Sequence, residues 1–294
     1  MFNSENCLKI FEERTKILSR KELLPAEMLK LIHYTFNEQY KIFQELPSDP
    51  ALDLELTPVD RVMAGKPLLA RENFPYDQKV CLELFYKILD HLQSLSGPLQ
   101  EAADLIRGEC AEDPELAAKS LKKFVGGADD YFRIFGEKTP QSPMTLHFLA
   151  QSAVTPSVVR NASQFFLALP RDHTWAMGHC PVCGSLPYIS SLEGKQGLRM
   201  LQCSFCHTAY RFKRMACAFC QEEQSRSFEY FTARELPGFR VDICKSCRMY
   251  MKTIDFREMD KKLFPALDDL ESLQLDMAAR EQGYTRPTLS AWGF

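Results

Sequence analysis

Two patterns of apolar and polar positions divide the chain. Over the first 170 residues, apolar side chains recur at intervals of three and four, as at Ile32, Phe36 and Phe43. That interval is the period of an amphipathic helix. A second such stretch runs over residues 75–95. We therefore predict a helical N-terminal domain over residues 1–170.

A further helical stretch of this domain begins near Ser142 and continues to about Phe166. It contains Pro156, which lacks a backbone N–H and crowds the preceding turn. We therefore expect this helix to be bent or broken at the proline.

The helical period disappears after residue 170, and short β-like runs take its place. They form two pairs, each separated by a turn: residues 186–192 with 198–202, and residues 227–232 with 239–243. Strand, turn, strand in each pair predicts two hairpins and an internal duplication. The helical period returns at about residue 256, so we predict one final helix to residue 282 and a polar tail.

Four Cys-x-x-Cys pairs flank these hairpins and contain eight of the eleven cysteines. They are Cys180 and Cys183, Cys203 and Cys206, Cys217 and Cys220, and Cys244 and Cys247. The first two pairs are separated by 19 residues and the last two by 23. Four-cysteine metal sites commonly have spacings of about 15–20 residues. The spacing predicts two metal sites in series, with four sulfur ligands each.

Sulfur ligands in a tetrahedral arrangement select zinc or iron over hard cations. Hairpins this small bury little apolar surface, so the metal should supply much of their folding free energy. Gly184, directly after Cys183, fits a tight turn that needs a positive φ. The other three pairs are followed by His207, Gln221 and Arg248, so the glycine occurs only once.

Other candidate chemistry is weaker. His179 and His207 adjoin cysteines, but four sulfurs are already available for each ion, so we interpret both as outer or surface residues. A redox dithiol normally lies at a helix N-terminus, whereas these pairs adjoin predicted strands. The sequence has no phosphate-binding loop, zinc-protease motif or serine nucleophile elbow. We predict no catalytic residues and no enzymatic activity.

The charge pattern bears on nucleic-acid binding. Residues 180–250 carry ten Lys and Arg against six Asp and Glu, a formal +4. Eight thiolates with two divalent ions carry about −4, which cancels that surplus. Arg211, Lys213 and Arg214 alternate with Tyr210 and Phe212. We interpret this cluster as a solvated linker and expect no nucleic-acid partner.

No run of about 18 apolar residues occurs, so we expect no membrane insertion. The first residues lack a basic region followed by an apolar stretch, so no export signal is visible. Paired cysteines in a reducing compartment usually bind metal rather than form disulfides. We therefore expect a cytoplasmic protein.

Several segments together carry a family resemblance. They are Trp175-x3-His179-Cys180-Pro-Val-Cys183-Gly-Ser-Leu-Pro187, Gly197-x-Arg199-x-Leu201-x-Cys203-Ser-Phe-Cys206-His-Thr208, Cys244-Lys-Ser-Cys247, Tyr250-Met-Lys-Thr-Ile-Asp255, Gly283-Tyr284, Gly65-Lys-Pro-Leu-Leu69 and Phe148-Leu-Ala-Gln-Ser-Ala-Val-Thr-Pro156. These segments resemble the FdhE family of formate dehydrogenase accessory proteins. The resemblance implies a helical domain followed by two rubredoxin-like metal ribbons. It also implies a cytoplasmic assembly factor that binds the catalytic, molybdenum- or tungsten-pterin subunit of formate dehydrogenase.

The eight cysteines match the family's positions, and the resemblance implies that they are the metal ligands. The family is associated with iron, whereas the spacing alone equally permits zinc. Tyr250, Lys252 and Asp255 match a family motif to which we assign no role. They would equally fit a strand-to-helix connection packed against the second ribbon.

Together these observations predict an α+β protein. Its parts are a helical domain over residues 1–170, four-cysteine ribbons over residues 171–212 and 213–256, and a C-terminal helix and tail over residues 257–294. The leading hypothesis is a non-catalytic maturation chaperone whose metal-stabilised ribbons form or support a docking surface. The metal is either purely structural or redox-active. The alternative functions are a nucleic-acid-binding zinc ribbon and a dithiol redox protein.

Overall fold

We describe the protein from a computed structural model. It describes residues 2, 6–21, 23–47, 54–170, 173–257 and 259–294. Residues 171 and 172, where the predicted first ribbon begins, lie outside this set. The chain divides into two units, one formed by residues 2–51, 71–161 and 292–294, and the other by residues 52–70 and 162–291. The predicted domain boundaries at 170, 212 and 256 stay predictions.

Helices dominate the N-terminal half of the chain. They are α1 (Cys7–Arg20), α2 (Ala26–Glu45), α3 (Val59–Met63), α4 (Gln78–Gln93), α5 (Pro98–Glu112), α6 (Leu116–Val125), α7 (Asp129–Gly136) and α8 (Thr145–Phe166). In α2, Ile32, Phe36 and Phe43 are buried, as their spacing predicts. Asp77 is the N-cap of α4, and its carboxylate accepts a hydrogen bond from Val80 N at 3.0 Å. This cap satisfies a backbone N–H that has no partner within the helix.

Helix α8 is not broken at Pro156, because it runs from Thr145 to Phe166 without interruption. A proline in a helix frees the carbonyl four residues earlier, here that of Ser152. The side chain of Gln39, buried on α2, donates to Ser152 O at 2.8 Å. The carbonyl oxygen of Ser152 therefore keeps a hydrogen-bond partner. This contact reduces the free-energy cost of the proline, so the helix can continue past it.

The second unit is built on one six-stranded sheet. Its strands are β1 (Pro187–Glu193), β2 (Leu198–Cys203), β3 (Ala209–Arg211), β4 (Phe228–Thr232), β5 (Phe239–Cys244) and β6 (Met249–Ile254), in the order β3-β2-β1-β6-β5-β4. All neighbours are antiparallel except β1 and β6, which pair in parallel through Ser190 and Thr253. The two predicted hairpins are confirmed, and the β1–β6 pair joins them into a single sheet.

The C-terminal region is helical, but it begins at Pro265 rather than near residue 256, and it consists of two helices rather than one. They are α9 (Pro265–Glu271) and α10 (Leu273–Glu281). The hydroxyl of Ser272 between them donates to Asp268 O at 2.8 Å and lies 3.2 Å from Asp269 O. A serine that bonds the preceding carbonyls competes with helix continuation, which explains the interruption. No helix among the described residues is long and apolar enough to cross a bilayer.

Candidate metal centres

The first cluster consists of Cys180, Cys183, Cys203 and Cys206. Their sulfurs all lie within 4.8 Å of one another, with Cys180 to Cys206 at 3.6 Å and Cys183 to Cys203 at 3.4 Å. Four sulfurs about 2.3 Å from one ion in a tetrahedron lie about 3.8 Å apart. The cluster has nearly these dimensions. All four residues are at most 1% exposed.

The second cluster consists of Cys217, Cys220, Cys244 and Cys247. Its sulfurs also lie within 4.8 Å of one another, with Cys217 to Cys247 and Cys220 to Cys244 both at 3.7 Å. Cys220 is exposed and Cys247 half-buried, whereas Cys217 and Cys244 are buried. The two clusters therefore have similar geometry but differ in their access to solvent.

Each Cys-x-x-Cys pair forms the same tight turn. The residue after the second cysteine has a positive φ in all four pairs: Gly184 at 77°, His207 at 55°, Gln221 at 60° and Arg248 at 57°. The conformation predicted for Gly184 is confirmed. The three other residues adopt it without being glycine, and sequence analysis missed them. Their common position relative to the cysteines is the only sequence signal that could have found them.

The turns also supply hydrogen bonds to sulfur. Val182 N, Phe205 N and Phe219 N each donate to the first cysteine of their pair at 3.4 Å. Hydrogen bonds of this kind favour the thiolate over the thiol. They therefore help to stabilise the form of cysteine that binds metal.

Burial has the opposite effect from these hydrogen bonds, because it favours the neutral thiol over the thiolate. It raises the pKa of Cys180 and Cys206 well above the usual value for a thiol, and that of Cys217 to about 11. These thiols would be protonated at neutral pH without a cation. A metal ion would displace their protons on binding. The set of four soft sulfurs in each cluster fits zinc or iron.

The two candidate histidines lie outside both four-cysteine groups. His179 Nε2 lies 3.0 Å from the carbonyl oxygen of Gly65. His207 is buried, its ring centroid lies 6.1 Å from that of Tyr188, and burial lowers its pKa to about 3. Neither ring is needed to complete a set of four ligands.

An upstream segment supports the first cluster. Leu68 N donates to Pro181 O at 2.8 Å, and Leu69 N donates to Val182 O at 3.0 Å. The segment Gly65–Leu69, which resembles the FdhE family, thus pairs with the turn between Cys180 and Cys183. Hydropathy gave no sign of this contact.

Tyr250 and Lys252 on β6 belong to a buried polar network. Lys252 Nζ lies 2.7 Å from Asp269 Oδ1 and 2.5 Å from Asp276 Oδ2, and Tyr250 OH donates to Asp276 Oδ1 at 2.8 Å. Arg286 donates to Asp269 Oδ2 at 2.9 Å. Two cations and two carboxylates therefore balance one another where the sheet meets α9 and α10. The packing interpretation of this motif agrees with these contacts.

Asp255, the third residue of the motif, lies apart from this network. Its carboxylate forms a two-point ion pair with Arg257, with both distances 2.7 Å. Arg257 lowers the pKa of Asp255 through this pairing. The backbone N of Asp255 donates to Gly238 O at 2.8 Å, and this hydrogen bond joins the end of β6 to the turn before β5.

The aromatic residues of the basic cluster are not available to nucleic-acid bases. Tyr210 and Phe212 are both 2% exposed, and Tyr210 OH donates to Gly178 O at 2.7 Å. Stacking on bases requires exposed rings. The prediction of a solvated linker is wrong for this part of the cluster, because Tyr210 and Arg211 lie on β3 and both aromatic rings are packed in the fold.

The part of the chain that contains both clusters matches two domain models of one protein family. The family model described as "FdhE, central domain" matches residues 179–214, and the one described as "FdhE, C-terminal domain" matches residues 215–291. Each match contains one four-cysteine cluster.

Curated relatives match over most of the chain. Protein FdhE homolog of Aquifex aeolicus (strain VF5) is 28% identical over 287 residues, covering 96% of this chain and 93% of the relative. Protein FdhE of Salmonella dublin is 28% identical over 248 residues, covering 83% and 74%. The crystal structure of the FdhE protein from Pseudomonas aeruginosa has a TM-score of 0.66 at 21% identity and covers 99% of this chain and 97% of that one. The last comparison establishes a shared fold.

Proposed function

We propose that this chain, whose residues 179–291 match the central and C-terminal domain models of FdhE, is a member of that family and a non-catalytic accessory protein for formate dehydrogenase. It binds the catalytic subunit of that enzyme during maturation in the cytoplasm. The observation that carries the proposal is the match of residues 179–291 to the two FdhE domains, which together contain both four-cysteine clusters. Reduced, paired cysteines support the cytoplasmic location.

In this proposal each cluster holds one zinc or iron ion through its four sulfurs. Cys180, Cys183, Cys203 and Cys206 hold one ion, and Cys217, Cys220, Cys244 and Cys247 hold the other. A bound ion contributes folding free energy and fixes together the two Cys-x-x-Cys turns at the base of each hairpin. The β1–β6 pairing then holds the two ribbons in one sheet, which gives a partner protein a preformed surface.

We favour a structural role for the metal over a redox role, because rigid docking requires only the fold, whereas a redox role also requires an electron-transfer partner. The set of ligands argues separately against a catalytic metal. Catalytic metal sites usually keep one ligand position open, whereas four protein ligands close a site. Each cluster offers four sulfurs, so no position remains for a substrate. A preformed surface reduces the entropy cost of binding, which is an advantage for docking.

An anaerobic affinity purification of the full chain from its host, read by mass spectrometry, tests the proposal. Selective recovery of a formate dehydrogenase catalytic subunit is the expected result. Recovery of nucleic-acid machinery, or of no partner while that subunit is expressed, would contradict it.

The role of the metal is tested with the Cys203→Ser variant. It should lose the ion of the first cluster and with it the binding of the catalytic subunit. Cys110→Ser alters a buried thiol outside both clusters and serves as the matched control. If Cys203→Ser loses the ion but still binds, the docking surface lies elsewhere and the metal-supported sheet is not required.

A further inference from the structure

A cavity of about 290 Å³ lies against the sheet beside the second cluster. Its walls include the side chains of Met215, Met249 and Met251, and it reaches two residues of the second cluster, Cys217 and Cys244. We call it the methionine-lined cavity. Its volume is close to the lower limit of about 300 Å³ for ligand pockets. It is large enough for one or two side chains.

A buried guanidinium in this cavity lacks an oxygen acceptor for part of its hydrogen-bonding capacity. Arg199 is 7% exposed and lines the cavity. Its Nη1 donates to Ala216 O at 2.8 Å, but among the described residues Nη2 donates only to the sulfur of Met251, at 3.9 Å. Its Nε has no hydrogen-bond partner within the described residues. Buried donors left without acceptors are costly, so a ligand carbonyl at Nη2 would be favourable.

The charges around the cavity indicate an uncharged ligand. Arg240 Nε pairs with Asp242 Oδ1 at 2.9 Å, and Glu229 forms an ion pair with Lys245. Two further arginines, Arg199 and Arg214, line the cavity. Four thiolates with one divalent ion leave about −2 on the second cluster, which balances those two cations. A strongly charged ligand such as a phosphate would gain little here.

The walls and the rim favour a polypeptide. Methionine side chains are flexible and adapt to different apolar groups, so they recur on surfaces that bind varied peptides. At the rim, Tyr230 is 66% exposed and Met215 is 55% exposed. Exposed aromatic and methionine side chains are enriched in protein interfaces.

We propose that the methionine-lined cavity receives an apolar side chain of a partner polypeptide, while a neighbouring backbone carbonyl accepts a hydrogen bond from Arg199. The choice of a polypeptide as the ligand rests on the proposed function. The charge balance also uses the metal ion of the proposed function, whereas the apolar walls and the unfulfilled donors of Arg199 do not depend on it.

Methyl NMR provides a test that reports on the site directly. The zinc-loaded full chain, labelled with ¹³C at its methionine methyl groups, is titrated with the neutral blocked dipeptide N-acetyl-leucyl-phenylalaninamide. Saturable shifts are expected at Met215, Met249 and Met251. Met277 is 63% exposed on α10 and reports non-specific contact. The polar probe N-acetyl-seryl-glycinamide should shift none of them.

Two variants test the named contacts. Tyr230→Ala removes an exposed rim side chain and should weaken binding at least fivefold, whereas Leu289→Ala, also at an exposed position, should not change it. Arg199→Gln removes the guanidinium donors and should weaken binding at least tenfold. An unchanged zinc content and an unchanged circular dichroism spectrum show that this variant still folds.

The outcomes separate this proposal from the proposed function. Shifts at the three cavity methionines no larger than that at Met277, or equal affinity in the Tyr230→Ala variant, would overturn the cavity proposal. If purification still recovers the catalytic subunit in that case, the proposed function stands and docking occurs elsewhere. Saturable cavity binding without recovery of that subunit supports the cavity and overturns the assignment to formate dehydrogenase.

Discussion

The residue after each second cysteine determines whether its turn can form without strain. Gly184 has φ of 77°, and a Cβ at this position would lie 3.3 Å from Pro67 Cγ. A non-glycine residue in this conformation costs about 1–2 kcal/mol. Gly184→Ala should therefore lower the free energy of unfolding of the zinc-loaded protein by about that amount. Denaturant unfolding at fixed zinc concentration measures the change.

Matched glycine substitutions serve as controls for that prediction. Gly108 lies in α5 with open space around it, so Gly108→Ala should raise stability by up to about 1 kcal/mol. Gln221 is exposed and has a φ of 60°, which glycine adopts without strain. Gln221→Gly should therefore leave the free energy of unfolding unchanged or raise it. If Gly184→Ala and Gly108→Ala changed stability in the same direction, backbone strain at the turn would not be the cause.

Lys252 is the residue whose loss should most disturb the buried network. It is completely buried and contacts both Asp269 and Asp276. Removing one member of a buried ion pair leaves an uncompensated charge and costs about 3–5 kcal/mol. Lys252→Met should therefore destabilise the protein by about that amount in chemical denaturation. Lys195→Met, at an exposed turn, should change stability by less than about 0.5 kcal/mol.

A Lys252→Met variant as stable as Lys195→Met would contradict this prediction. It would show that Arg286 and Tyr250 alone satisfy the carboxylates of Asp269 and Asp276. The network would then be dispensable for joining β6 to the C-terminal helices.

At the scale of elements, the two ribbons share a design but differ in exposure. All four cysteines of the first cluster are buried, whereas Cys220 is exposed and Cys247 half-buried in the second. A chelator reaches an exposed sulfur more readily, so metal should leave in two phases of equal amplitude whose rates differ at least tenfold. Absorbance of a chromophoric zinc chelator measures both phases.

Single-cysteine variants assign the phases of metal release. Cys220→Ser should remove the fast phase, and Cys206→Ser should remove the slow one. A single phase in the unmodified protein, or loss of the slow phase in Cys220→Ser, would show that exposure does not control release.

Local patterns predicted the elements better than their ends or their partners. The helical period identified α2 and α4, and alternation between turns identified the two hairpins. The interruption at Ser272 and the continuity of α8 through Pro156 were not predictable locally. The first depends on a hydroxyl bonding the preceding carbonyls, and the second on Gln39, which lies 113 residues from Ser152.

At the candidate sites, too, the sequence predicted the residues that come together but not the contacts around them. Cysteine spacing predicted both groups of four, because pairs joined by a hairpin must meet at its base. The spacing carried no information about the positive φ of His207, Gln221 and Arg248. Nor could it show the network of Lys252, since Asp269 and Asp276 reach it only through the packing of α9 and α10 on the sheet.

At the scale of the whole molecule, pairing between the ribbons has the largest consequence. Fifty-five residues separate the end of β1 at Glu193 from the start of β6 at Met249. The two strands pair in parallel at Ser190 and Thr253. Their hydroxyls lie 2.5 Å apart. Parallel pairing over such a distance leaves no local sequence pattern. It makes one sheet, with a four-cysteine cluster in each half, out of two duplicated ribbons.

The most direct test of this arrangement is the metal content and metal–sulfur coordination of the full chain. Anaerobically purified protein is analysed by elemental analysis and X-ray absorption spectroscopy. We expect two ions per chain, each surrounded by four sulfurs at about 2.3 Å. One ion per chain, or a coordination shell containing nitrogen or oxygen, would contradict the assignment of two four-cysteine centres.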